Sequence, residues 1–200
     1  MSVIRHLVVL ALIALPACQS ISPHVTSTLV STPDLLNQKP ADVAILPIED
    51  ATPDGRIRPW RATLREALAQ GLVSRLYSPL SCDRVDAVLR SEDAAPRNGT
   101  AIDAGYLKSL TGKFGEEALL AVRFTRWDES SLMSNARLRF ACDLTMVHTQ
   151  SGRTLWSGGL EGEVKSGGYG PAPLSPEARA EDAARQVAIE IAGRLPKRQP

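Results

Sequence analysis

Aromatic residues are scarce: three Trp, three Tyr and three Phe in 200 residues. Any core must therefore be built mainly from Leu, Val, Ala and Ile. Cysteine is scarcer, at three, too few for a disulfide scaffold. Charge of one sign is lacking as well: 23 Lys+Arg against 22 Asp+Glu give a formal net charge of +1. Neither a Lys/Arg run nor an aromatic-basic interleaving occurs, so no nucleic-acid partner is indicated. No apolar run is long. The run from Leu7 to Ala17 has 11 residues; as a helix it rises about 16 Å, half of a ~30 Å hydrocarbon layer. It cannot span a bilayer.

That run lies behind one basic residue, Arg5, and closes on Pro16 and small residues, which is the layout of a secretory signal. The final "LPAC" resembles the bacterial lipobox, in which the thiol takes a diacylglycerol, the preceding peptide is cut and the new amine is acylated. The expectation is a signal peptide over 1–17 and a lipidated Cys18, attached through its acyl chains, palmitate among them, without a transmembrane helix. Gln19, in place of an Asp, resembles lipoproteins sent to the outer membrane, here on its periplasmic face. Cleavage would remove Arg5 and leave 22 Lys+Arg against 22 Asp+Glu.

Residues 18–40 are Ser-, Thr- and Pro-rich without sustained period and read as a flexible tether, with "STLVS" as a short edge strand the alternative. An α/β domain over 41–196 is expected to follow. "ADVAILPIED" reads as a strand covered on both faces. Trp60, Leu64, Leu68, Leu72 and Leu76, four apart, mark one face of a helix over 59–77. "YSPLS" reads as a short strand running into "CDRVDAVL". Thr100 with Asp103 marks a helix start, with Ile102, Tyr106, Leu107, Leu110 and Phe114 as its stripe and Gly112 and Gly115 at its end. "EALLAVRFTRW" and "ARLRFACDLTMVH" read as antiparallel strands, the second with Leu138, Phe140, Cys142, Leu144 and Met146 inward and Arg137, Arg139, Asp143 and Thr145 outward. Parity predicts a three-residue loop, Gln150 to Gly152, setting Trp156, Leu160 and Val164 on the face of Met146. Ser175 and Pro176 open a last helix.

The order is βαβα followed by βββα: one mixed sheet, two parallel crossovers and an antiparallel extension, spatial order 2-1-3-4-5, helices on both faces near the centre. The second and fourth strands then lie about 14 Å apart, so Cys82 and Cys142 should not pair.

The segments "ADVAILPIED", "LREALAQGLVSRLYSPLSCDRVDAVLR", "YLKSLTGKFGEEALLAVRFTRW" and "DLTMVHTQSGRTLWSGG" resemble a family of bacterial outer-membrane lipoproteins related to LpoB, an activator of penicillin-binding proteins, and to CsgG, the curli-secretion lipoprotein. The matching hairpin residues are Gly152, Leu155, Trp156 and Gly158, and Val85 with Asp86 matches a Val-Asp pair. The resemblance implies a fold like the TolB N-terminal domain and a role in envelope assembly through protein contacts, without catalysis. The chain is short for the membrane hairpins of CsgG and its tether is short compared with that of LpoB.

No catalytic, metal or cofactor constellation stands out. His24 and His148 are far apart in sequence, and Cys142 and His148, six residues along one strand, would be about 20 Å apart. "TGKF" closes a helix where a phosphate loop would open one. A partner surface is expected from Arg137 and Arg139, with Arg123 and Trp127 on the neighbouring strand, and from Tyr169 in the Gly/Pro-rich loop 165–174. The functional expectation is a lipid-anchored periplasmic module that assembles or stabilises an envelope complex for secretion or peptidoglycan synthesis, with an envelope protein as partner and the oligomeric state open. The alternatives are an accessory lipoprotein of an ABC-type lipid-transport system and, more weakly, a periplasmic enzyme.

Overall fold

The structure, a computed structural model, describes residues 25–38, 40–92, 104–115, 117–167, 173 and 175–198. Eight strands form one sheet among these residues: β1 (Val25–Ser27), β2 (Val30–Ser31), β3 (Asp42–Ile45), β4 (Glu49–Asp50), β5 (Ser78–Pro79), β6 (Ala118–Asp128), β7 (Arg137–His148) and β8 (Thr154–Lys165). Six helices accompany them: α1 (Pro33–Gln38), α2 (Arg61–Ser74), α3 (Cys82–Ser91), α4 (Ala104–Ser109), α5 (Leu132–Asn135) and α6 (Pro176–Arg194). The strands run in the order β1-β8-β7-β6-β3-β5. Apart from β1, β2 and β4 this is the expected 2-1-3-4-5, with β3 parallel to both β5 and β6, β4 parallel to β6, and the remaining pairs antiparallel.

The scarcity of aromatics shows in the packing. Helices α2 and α6 cover one face, where Leu64, Leu68 and Leu72 and the alanine-rich stripe Ala180 to Ala192 meet Val43, Ile45, Leu120, Phe140 and Trp156. Small side chains let the two helices close on each other: a Cβ on Gly71 would lie 2.5 Å from that of Ala192. On the other face, among the described residues, Val85 and Leu89 of α3 and Leu107, Leu110 and Phe114 around α4 cover β3, the first half of β6 and Val147 of β7. The last helix begins as expected, with the Ser175 hydroxyl accepting from the Ala178 N–H at 3.1 Å. Gly112 and Gly115 carry positive φ after α4. The expected start at Thr100, with Ile102 and Asp103, lies outside the described residues.

Three expectations need correction. Residues 25–38 are not tether. Val25 to Ser27 pair with Leu160 to Gly162, Val30 and Ser31 pair with Trp156 and Ser157, and Leu35 is buried at 3% exposure. The edge of β8 would otherwise offer a row of bare backbone groups, and a short Val/Thr/Ser segment suffices to cover it. Leu76 does not continue the apolar face of α2. It sits at φ 68, where the Leu76 and Tyr77 N–H groups close the helix on Val73 and Leu72. The hairpin loop has four residues, not three. The His148 N–H donates to Arg153 and the Gly152 N–H to His148. A one-residue shift beside Met146 then restores the pairing of Met146 with Trp156, so Trp156, Leu160 and Val164 still face the core.

Candidate functional site

The sequence places a partner surface on the polar face of β6 and β7. The arginines are there, but they are neutralised by neighbours. Arg137 and Arg139 both grip Glu163 of β8, at 2.7 and 3.3 Å, and Arg123 meets Glu49 at 3.4 Å. Arg139 is also paired across the ladder with Asp128. Trp127 is not on this face. A β-bulge falls between Phe124 and Arg126, and the inserted residue reverses the side-chain alternation beyond it. Trp127 therefore turns inward beside Phe124, at 3% exposure, with ring centroids 5.6 Å apart in an edge-to-face contact. The expected basic-aromatic patch becomes a face of mixed, paired charges. Tyr169 lies outside the described residues.

The same bulge builds a feature that sequence reading missed. The Trp127 indole N–H donates to Glu129 Oε1 at 2.7 Å, and the Trp60 indole N–H donates to that same oxygen at 3.1 Å. Glu129 thereby ties the segment before α2 to the end of β6. Between them the loop after β4 folds on itself. Asp50 Oδ1 accepts from the Thr52 N–H and hydroxyl, the Thr52 hydroxyl oxygen accepts from the Arg56 N–H, and Arg56 pairs with Asp54. The loop and the bulged end of β6 enclose an open depression of about 390 Å³, with Trp127 in its lining and Arg56, Arg126 and Asp128 around it. In open α/β sheets ligands favour the crevice where strand order reverses. Here β4 pairs with β6 and occupies that crevice itself. Asp128 is held below the usual carboxylate range by hydrogen bonds from Ser130, so it is an ionised surface group and a poor general acid.

The Val85–Asp86 pair has a structural reason. Val85 is fully buried under the sheet. Asp86 accepts from Arg65 Nη1 at 2.6 Å, and Arg65 Nε and Nη2 donate to the Ile45 carbonyl at 2.9 and 2.7 Å. Because β5 pairs only with Asp42 and Val43, its ladder does not extend to Ile45. The guanidinium takes its place, and Asp86 balances its charge.

Cys82 and Cys142 are unpaired with each other. Burial raises both thiols above their ordinary value, with Arg65 pulling Cys82 partly back. His148 Nδ1 lies 3.2 Å from the Ser151 hydroxyl in the hairpin turn. Among the described residues no group of three or more His, Cys, Asp or Glu could hold a metal ion, and no helix is long and apolar enough to cross a membrane. His24 lies outside them.

No protein-family model matches the chain and no curated protein matches it. Solved structures do. Lipoprotein GNA1162 from Neisseria meningitidis aligns with a TM-score of 0.50 and 18% identity, over 77% of this chain and 99% of that one. The PelC dodecamer from Paraburkholderia phytofirmans aligns at 0.47 and 13%, over 86% and 98%. The LpoB C-terminal domain from Escherichia coli aligns at 0.41 and 14%, over 63% and 83%. At 18% identity the likeness to the Neisseria lipoprotein is one of fold alone.

Proposed function

We propose that the chain is a lipid-anchored envelope protein whose domain works by contact with other proteins. The observation that carries this reading is the spacing at the N-terminus. The lipobox-like "LPAC" ends an apolar run of signal length, and the first described strand starts at Val25, seven residues after Cys18. The Neisseria protein that shares the fold is a lipoprotein, which supports the same placement. The interaction half of the reading rests on the polar face of β6 and β7 and on the open depression of about 390 Å³ beside Trp127. Assistance to a secretion or peptidoglycan-synthesis complex at the outer membrane, with Gln19 directing the sorting, is the finer form of the proposal.

Mass spectrometry of the protein purified from bacterial membranes tests the anchor: the expected N-terminal residue is Cys18 carrying a thioether-linked diacylglycerol. A bare thiol with the leader uncut refutes it. Photo-crosslinking in cells from Arg123, Arg137 and Arg139 tests the contact role. A discrete adduct with an envelope protein is expected, and absence of any adduct from all three positions overturns it.

A further inference from the structure

We infer that the end of the sheet formed by the close of β6, the start of β7 and the close of β8 is the surface that the domain lays against phospholipid headgroups. The inference rests on the lipid anchor proposed above and adds an orientation to it. Three observations carry it.

The first is where the chain joins the fold. Val25 pairs with Gly162, three residues from Lys165 at this end, and β1 runs antiparallel to β8, so the chain leaves Val25 on its N-terminal side toward the same end. The second is reach. Seven Cα steps from Cys18 to Val25 span at most about 25 Å. The opposite end of β8, at Thr154, lies eight residues beyond Gly162, about 26 Å further along the strand. Turning that far end to the membrane would need every one of those steps fully extended, a conformation of very low entropy. Turning the near end needs none.

The third is what the near end displays. Met133 stands on the α5 turn at 51% exposure, and the same end of the sheet carries Lys165 and a cluster in which Arg137 and Arg139 share the single carboxylate of Glu163, with Asp128 opposite Arg139. Arginine and lysine lay their stems on apolar surface while their charges reach phosphate. The turn is held firmly: Arg179 donates to the Met133 carbonyl at 2.8 Å, and the Ser166 N–H donates to the Ala136 carbonyl at 2.7 Å.

The test uses the full lipidated chain with Cys82→Ser, carrying an environment-sensitive fluorophore at Met133→Cys or at Gln150→Cys on the opposite hairpin. Each is reconstituted into phosphatidylethanolamine/phosphatidylglycerol vesicles containing lipid with a nitroxide on its headgroup. The expected result is quenching at position 133 at least threefold stronger than at 150. Equal quenching, or stronger quenching at 150, overturns the orientation while leaving the anchor standing. Failure of the lipidated chain to float with vesicles, or flotation unaffected by Cys18→Ala, overturns the anchor and the orientation with it.

Discussion

Gly158→Ala is the sharpest probe of how the N-terminal strands are seated. Gly158 sits at φ +142, and a Cβ there would lie 2.5 Å from the Thr28 carbonyl oxygen, 2.8 Å from Leu29 Cα and 2.9 Å from the Thr28 carbonyl carbon. All three neighbours are backbone, so no rotamer change relieves the overlap. Alanine at such a φ costs about 1–3 kcal/mol, and overpacking against a fixed neighbour about 1–3 kcal/mol more. The overlap can relax only if residues 25–32 lift away. That forfeits the Thr28 N–H bond to Gly159, the Thr32 N–H bond to Leu155 and the Gly159 N–H bond to the Thr28 hydroxyl, at 3.0, 2.9 and 2.9 Å. Either route costs about 2–5 kcal/mol. For a domain of this size that corresponds to a fall in Tm of about 5–15 °C, and amide exchange should speed up at Thr28, Thr32 and Gly159 before the rest of the sheet opens. Gly152→Ala is the matched control. It also has positive φ, +65, but its Cβ would meet only Lys108 Cγ at 3.7 Å, so its cost should stay near 1 kcal/mol. Should Gly158→Ala melt within 2 °C of the parent with Thr28 still protected, the seating argument is wrong.

Gly71→Ala should destabilise by about 1–3 kcal/mol despite the better helix propensity of alanine, because its Cβ would meet that of Ala192 at 2.5 Å. Adding Ala192→Gly should recover most of the loss in a double-mutant cycle, and strict additivity in urea unfolding would disprove the contact. Burial raises the Cys142 thiol far above its ordinary 9.0, with Asp143 adding to the effect. The folded chain therefore keeps a proton that the unfolded chain releases. The resulting stability is complete below pH 9 and is lost as pH rises beyond it, by up to about 1.4 kcal/mol per pH unit. The stability advantage of the parent over Cys142→Ala should thus shrink between pH 7.5 and 10, and an unchanged difference would sink this assignment.

The central sheet was legible because its signals were redundant. The uninterrupted run Val43 to Ile48, the four-residue spacing Leu64-Leu68-Leu72 and the alternation Leu138-Phe140-Cys142-Leu144-Met146 each answer to one period. Their order constrained the topology through the handedness and shortness of connections. The errors fell where a single inserted residue or a tertiary contact decides. A bulge at Thr125 carries no compositional mark, yet it turned Trp127 from the wet face to the core and removed the aromatic half of the expected surface. The second shift, beside Met146, changed the loop length while leaving every later side chain on its expected face, because the hydrophobic pattern fixes register more strongly than the turn does.

The N-terminal segment shows a deeper limit of periodicity. Three residues of β1 and two of β2 are too few to display a period, and Ser, Thr and Pro composition suits a linker as well as an edge. The cue lay elsewhere in the chain, at Gly158, which the sequence offers only as part of the hairpin motif. Gly158 is not in the turn. It is the place where the backbone of Thr28 and Leu29, between β1 and β2, packs closely against the edge of β8, as a strand glycine often signals. Thr28 and Leu29 supply the three nearest atoms to it. The glycine-bearing hairpin and the N-terminal strand pair therefore meet at one contact, which seats residues 25–31 on the edge of β8.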